Sequence, residues 1–169
     1  MAIKFKQFYK NQQSKYTIFL DMDGVLCNFV KAFRTIAGFE PGESSADNKN
    51  SVYTVLQNVP IEFWSKMTWM SDGKELWNYV KNLNVKICST PIDTNTCING
   101  KKYWCKVNLG AQITVILTAT KEDYASPTHI LIDDREKNIN KWAKASGIGI
   151  LHKNTKDTLR QLEKILVKE

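Results

Sequence analysis

Five short, largely apolar runs punctuate the chain: Tyr16-Thr17-Ile18-Phe19-Leu20, Val85-Lys86-Ile87-Cys88, Ile113-Thr114-Val115-Ile116-Leu117, His129-Ile130-Leu131-Ile132 and Ile148-Gly149-Ile150-Leu151. Runs of this length without a helical period predict strands buried on both faces. Helical patterns lie between them. Ser71 or Asp72 is placed to cap a helix with Leu76, Val80 and Leu83 on one face. A second is expected from Ile98 to Leu109, closed by Gly110 at C′, and a third from Glu136 to Ser146, closed by Gly147. Asn154 or Thr155 caps the last, whose apolar stripe is Leu159, Leu162, Ile165 and Leu166. Strands alternating with helices predict an α/β fold: a Rossmann-like, doubly wound parallel sheet with right-handed crossovers.

One interval breaks the alternation. Residues 28–84 are too many for a single crossover helix, and their middle, from Pro41 to Asn50, is polar and turn-rich between aromatic segments. A small helical cap inserted after the first core strand accounts for this, leaving 1–27 and 85–169 as the core. The first fifteen residues read as an arm, or a short leading strand and turn, without assigned function.

The 169 residues, 43% of them hydrophobic, suffice for one substantial core. The longest apolar runs fall far short of the roughly 18 to 20 residues that cross a bilayer, and the N-terminus lacks a signal-peptide apolar stretch. A cytoplasmic protein with no membrane partner is expected. Cys27, Cys88, Cys97 and Cys105 have no zinc or redox spacing, which favours free, mostly buried thiols in a reducing compartment. The formal charge of +7 suits an anionic partner. Because the lysines are dispersed, nucleic acid is possible but not favoured. Monomer and homodimer both stay open.

In doubly wound sheets ligands bind at the carboxyl ends of the strands. The residues that follow the apolar runs there are Asp21 and Asp23, Ser89 and Thr90, and Asp133 and Asp134, with Lys101 expected to open the helix after the second. Four carboxylates at one sheet edge repel one another, and a hard divalent cation such as Mg2+ relieves this while keeping places for water and phosphate. Ser89, Lys101 and the backbone N–H groups after Asp21 can donate to phosphate oxygens. Asp21 then suits a carboxylate nucleophile and Asp23 a general acid and base. Taken singly, Asp-x-Asp-Gly also opens calcium loops, but the apolar Val25-Leu26 and the lack of further acidic residues in frame disfavour that reading. Asp134 could equally be a helix cap, and Lys101 a solvated lysine.

In this order the motifs resemble the haloacid dehalogenase superfamily from about Tyr16 to Lys153: Leu20-Asp21-Met22-Asp23-Gly24-Val25-Leu26, then Ser89, Lys101, and Ile132-Asp133-Asp134-Arg135. Within it the chain is most similar to the 5′(3′)-deoxyribonucleotidases, through the first motif with Phe29, Ile87 to Ile92, and Lys101-Lys102-Tyr103-Trp104 up to Gly110. That resemblance implies a helical cap with Phe29 and Trp64 at the nucleobase and Lys121 as a further phosphate-side lysine. It implies Mg2+ held by the Asp21 and Asp134 side chains and the Asp23 carbonyl, with Asp133 in support. Relatives often carry arginine at the position of Ala119 and an aromatic cluster that residues 48–59 match only through Tyr53.

The expected activity is hydrolysis of (deoxy)nucleoside monophosphates to nucleoside and phosphate through an aspartyl phosphate. The alternatives are a phosphatase acting on a nucleic-acid 3′-phosphate or another small ester, and a phosphate-binding protein without turnover.

Overall fold

A computed structural model describes residues 15–41 and 46–167. Five parallel strands, β1 (Thr17–Leu20), β2 (Val85–Ser89), β3 (Val115–Leu117), β4 (His129–Asp133) and β5 (Ile148–Leu151), form one sheet in the order β3-β2-β1-β4-β5. All five apolar runs became strands. The third is shorter than expected, beginning at Val115 rather than Ile113.

β1 is central because both faces of it are apolar. Ile18 and Leu20 join Ile87, Ile130, Ile132 and Ile150 in the larger core, while Phe19 faces the other way into a smaller one with Cys88, Leu131 and Trp142. The Phe19 and Trp142 rings lie 5.1 Å apart. A strand covered on both faces has no solvent edge for its polar groups, so polar residues collect at its end, where Asp21 sits.

Between β1 and β2 lie four helices: α1 (Phe29–Ala37), α2 (Ala46–Gln57), α3 (Ile61–Ser65) and α4 (Gly73–Val80). Asn28 caps α1 by accepting from Lys31 N at 2.9 Å, and Gly38 ends it in the left-handed conformation. The polar stretch around residues 41–50 is not all turn. Its part from Ala46 is the first turn and more of α2, and residues 42–45 lie outside those described. The expected leading arm, apart from Lys15, lies outside them as well.

Three helices follow among the later strands: α5 (Asn95–Leu109), α6 (Glu136–Lys144) and α7 (Thr155–Val167). Helix α5 starts three residues before the expected Ile98, because the Thr94 hydroxyl caps it through Cys97 N at 3.2 Å. Lys101 therefore lies in its second turn rather than opening it. Gly110 ends α5 with φ 112° and ψ 151°, not as a left-handed cap. After α6 the left-handed residue is Ser146, and Gly147 is required for space: a Cβ there would meet Trp142 Nε1 at 2.1 Å. Asp72 precedes α4 but its carboxylate does not cap that helix; it accepts from Thr155 N at 2.7 Å, while Asn154 caps α7 through Asp157 N.

Helix α3 packs closely on α5. A Cβ on Gly100 would lie 2.5 Å from Trp64 Cβ and 3.0 Å from the Ile61 carbonyl, so only glycine allows this approach. Among the described residues no helix is long and apolar enough to cross a membrane. All four cysteines are free and buried, and burial pushes the Cys88 and Cys105 thiols up to about 12.

Candidate active site

The site forms where β1, β2 and β4 end. After Leu20 the chain makes a tight turn in which Val25, Leu26 and Cys27 all donate backbone N–H groups to the Met22 carbonyl. Gly24 occupies φ +78°, and a Cβ there would stand 2.3 Å from Asp134 Oδ2. Glycine serves twice here, permitting the left-handed turn and admitting the Asp134 carboxylate against the backbone.

Asp21 Oδ1 accepts from Met22 N at 2.8 Å and lies 3.0 Å from Lys121 Nζ. Among the described residues Oδ2 has no hydrogen-bond donor. Lys121 begins a 3-10 turn after β3, is 3% exposed, and also reaches Asp133 Oδ2 at 2.6 Å. Burial alone would lower the Lys121 ammonium, but Asp21 and Asp133 outweigh it and hold it above the ordinary lysine range.

Asp133 is wholly buried as the last residue of β4 and accepts from every side. Besides Lys121, Arg135 N reaches Oδ1 at 2.8 Å and Asn138 Nδ2 approaches both oxygens. Asp133, rather than Asp134, thus receives the first backbone donor of the α6 end. Asp134 has no side-chain hydrogen-bond or ion-pair partner among the described residues. Loss of solvent around its carboxyl, together with the charges of Asp21 and Asp133, pushes it up to about 6. Because the side chain is exposed, the like charges are the weightier cause. Ligand atoms of Asp21, Asp133 and Asp134 lie within 4.8 Å of one another, close enough to share a cation. Oxygen donors of this kind fit magnesium.

A second ion pair faces the first. Lys101 Nζ lies 2.5 Å from Asp23 Oδ2, 2.9 Å from Ser89 Oγ and 3.5 Å from the Thr90 carbonyl. The lysine is fully buried; burial works to lower its ammonium, but Asp23 and its anionic surroundings raise it overall. It also stands 5.6 Å from the Trp64 ring centre. The Cys27 thiol donates to Asp23 Oδ1 at 3.5 Å, so both Asp23 oxygens are held.

Above these groups is a cavity of about 220 Å³. Its polar floor is Asp21, Asp23, Ser89 and Thr90; Phe29, Pro41, Val52, Leu56, Trp64, Pro91 and Ile92 line its apolar side, and Arg135 and Asn138 the other. Phe29 and Trp64 stack with centres 6.1 Å apart and an angle of 20°. Trp64 is buried, and its indole N–H has no hydrogen-bond partner among the described residues. Tyr53 is exposed and absent from this lining. Lys101 and Lys121 are absent from it too, since their ammonium groups lie against carboxylates.

Sequence reasoning thus named the floor and missed much of the wall. Asn138 was findable, because it falls in the first turn of the helix expected from Glu136, directly after the Asp133-Asp134 pair. Val52 and Leu56 carried no signal beyond an i, i+4 apolar pair in a polar segment.

No family model matches the sequence, and no curated protein matches it significantly. Solved structures do. A hydrolase from Pseudomonas syringae superposes with TM-score 0.55 at 13% identity, covering 89% of this chain and 99% of that one. A HAD-superfamily hydrolase of subfamily IA, variant 1, from Geobacter sulfurreducens PCA gives TM-score 0.53 at 11% identity over 87% and 96%. A hydrolase from Streptococcus pneumoniae TIGR4 gives TM-score 0.51 at 14% identity over 89% and 99%. At these identities the likeness is one of fold, and the fold is that of haloacid dehalogenase-like hydrolases.

Proposed function

We propose that the protein is a magnesium-dependent phosphomonoesterase acting on nucleoside monophosphates, deoxyribonucleotides foremost, as the resemblance to the 5′(3′)-deoxyribonucleotidases implies. The observation that carries the reading is the division of four aspartates at one sheet edge: Asp21 and Asp133 share Lys121, Asp23 pairs with Lys101, and Asp134 makes no ion pair among the described residues. Phosphate binding alone does not require a second, separately held aspartate beside the first.

Asp21 and Asp134 would hold the metal by side chain and Asp23 by its carbonyl, with Asp133 in support. When bound, the metal supplies positive charge toward the phosphate oxygens and the Asp21 carboxylate. An Asp21 oxygen attacks phosphorus, the ester P–O bond breaks, and the leaving alkoxide takes a proton from Asp23, which enters this step as the carboxylic acid and leaves it as the carboxylate. Asp23 then accepts a proton from the water that attacks the aspartyl phosphate, releasing phosphate and restoring Asp21. Ser89, Thr90 and the backbone N–H of Asp23 bind the phosphate oxygens; the N–H groups of Met22 and of Gly24 to Cys27 are already engaged within the turn. The two lysines orient the carboxylates, Lys101 holding Asp23 and Lys121 holding Asp21 and Asp133.

Helices α1 to α4 would act as a cap over the core formed by 1–27 and 85–169. The apolar side of the cavity suits a planar base, with Phe29 and Trp64 as its stacking surface, since such stacking contributes roughly 1 to 3 kcal/mol. Four free thiols accord with a reducing cytoplasm.

The test is release of inorganic phosphate from a panel of deoxy- and ribonucleoside 5′- and 3′-monophosphates and a 3′-phosphorylated oligonucleotide, with Mg2+ and with chelator. We expect Mg2+-dependent release from the mononucleotides, abolished by Asp21→Asn. Preference for the oligonucleotide would establish the alternative substrate. Full activity of Asp21→Asn would remove the nucleophile from Asp21.

A further inference from the structure

We propose that Asn138 is a positioning residue, whose side-chain amide locks Asp133 so that Asp133 can hold Lys121 against Asp21. The role rests on the reading of Asp21 as nucleophile. Asn138 is the third residue of α6, and its Nδ2 lies 3.1 Å from Asp133 Oδ1 and 2.9 Å from Oδ2. A carboxylate only accepts, so chemistry settles the amide orientation: nitrogen toward Asp133, oxygen away from it.

An N–H group set across both oxygens fixes the plane of the carboxylate. Arg135 N, at 2.8 Å from Oδ1, fixes that oxygen again, which presents Oδ2 to Lys121 at 2.6 Å. Lys121 then reaches Asp21 Oδ1 at 3.0 Å. A lysine has a long, rotatable stem and three donors, so its ammonium is placed only as well as its acceptors are. Asp133 and Lys121 are 0% and 3% exposed, leaving water little access to replace a lost partner. The neutrality of the amide matters as much as its donor. A carboxylate at this position would set a further negative charge against Asp133 and compete for Lys121. An alanine would free Asp133 to rotate.

The test compares native protein with Asn138→Ala, Asn138→Asp and Asn138→Ser. One readout is kcat and KM for phosphate release from the mononucleotide that the native protein hydrolyses fastest. The other is the 1H–15N NMR signal of the Lys121 ammonium, assigned by its loss in Lys121→Met. Loss of a buried hydrogen bond to a charged group predicts a fall in kcat of roughly 10- to 100-fold for Asn138→Ala. KM should move by less than about 3-fold. Asn138→Asp should fall further, Asn138→Ser should recover part of kcat, and the ammonium signal should broaden in Asn138→Ala and Asn138→Asp. If Asn138→Ala does not fold, the serine and aspartate variants carry the comparison. Native kcat with a sharp ammonium signal in Asn138→Ala would overturn the proposal. So would losses that follow thermal midpoints alone, with no recovery in serine. If the native protein hydrolyses no monophosphate, the proposed activity fails, and the ammonium signal by itself decides whether Asn138 holds Lys121.

Discussion

Gly24→Ala separates the two demands placed on that residue. The new Cβ would lie 2.3 Å from Asp134 Oδ2 and 2.7 Å from its Cγ. Carbon and oxygen in ordinary contact need roughly 1 Å more, so the carboxylate must retreat by about that much. Asp134 is exposed and can swing away at little cost in stability. The backbone cannot: a non-glycine residue at φ +78° costs about 1 to 3 kcal/mol. For a chain of this size that lowers Tm by roughly 2 to 12 °C. The larger effect should fall on the cation, because a ligand displaced by 1 Å no longer closes the cluster with Asp21 and Asp133. Thermal melts across a Mg2+ titration should show the midpoint for Mg2+ stabilisation raised at least about 10-fold in Gly24→Ala. In an Asp134→Ala background the same substitution should cost only the backbone strain and change the Mg2+ response no further. A native Mg2+ midpoint in Gly24→Ala would refute the argument that close approach of Asp134 to Gly24 builds the cation site.

Lys121→Met should destabilise the protein by about 3 to 5 kcal/mol in urea melts at pH 7.5, because Asp21 and Asp133 would then face each other without their shared cation. Added Mg2+ should restore part of this loss. Gly100→Ala should cost about 1 to 3 kcal/mol by forcing α3 from α5. It should also weaken discrimination among bases in the phosphate-release panel, since Trp64 is what the added methyl strikes. His152 is held below its ordinary range by burial, with Asp72 acting weakly the other way. Below about pH 6.5 the unfolded chain therefore takes up a proton that the folded one resists, and stability should fall as pH drops through the folded value. His152→Asn should flatten that slope between pH 5 and 7.

The strands were legible because a run such as Ile130-Leu131-Ile132 has no amphipathic period and stops at a charged pair. Their polar termini then named Asp21, Ser89 and Asp133 before any geometry. What could not be read was pairing. Lys101 and Lys121 both follow strands, and nothing in spacing says that one takes Asp23 while the other bridges Asp21 and Asp133. That choice depends on α5 starting at Asn95, where a threonine cap hides among polar residues. Helix α2 escaped for a similar reason, since its first turns from Ala46 to Asn50 carry no apolar stripe. Gly147 looked like a helix terminator but answers to Trp142, a contact set by tertiary packing.

The two ion pairs have a consequence for the order of events. Four carboxylates against the Lys101 and Lys121 ammonium groups and the Arg135 guanidinium leave the site net negative when all are ionised. On the proposed function, a phosphate monoester would bring up to about two more negative charges into a pocket where such repulsion is poorly screened. One divalent ion would offset that negative charge. Ion and ester should therefore add in sequence, the ion first, and by linkage the ester should tighten the ion in turn, so the Mg2+ concentration that gives half the maximal rate should fall as the nucleotide is raised.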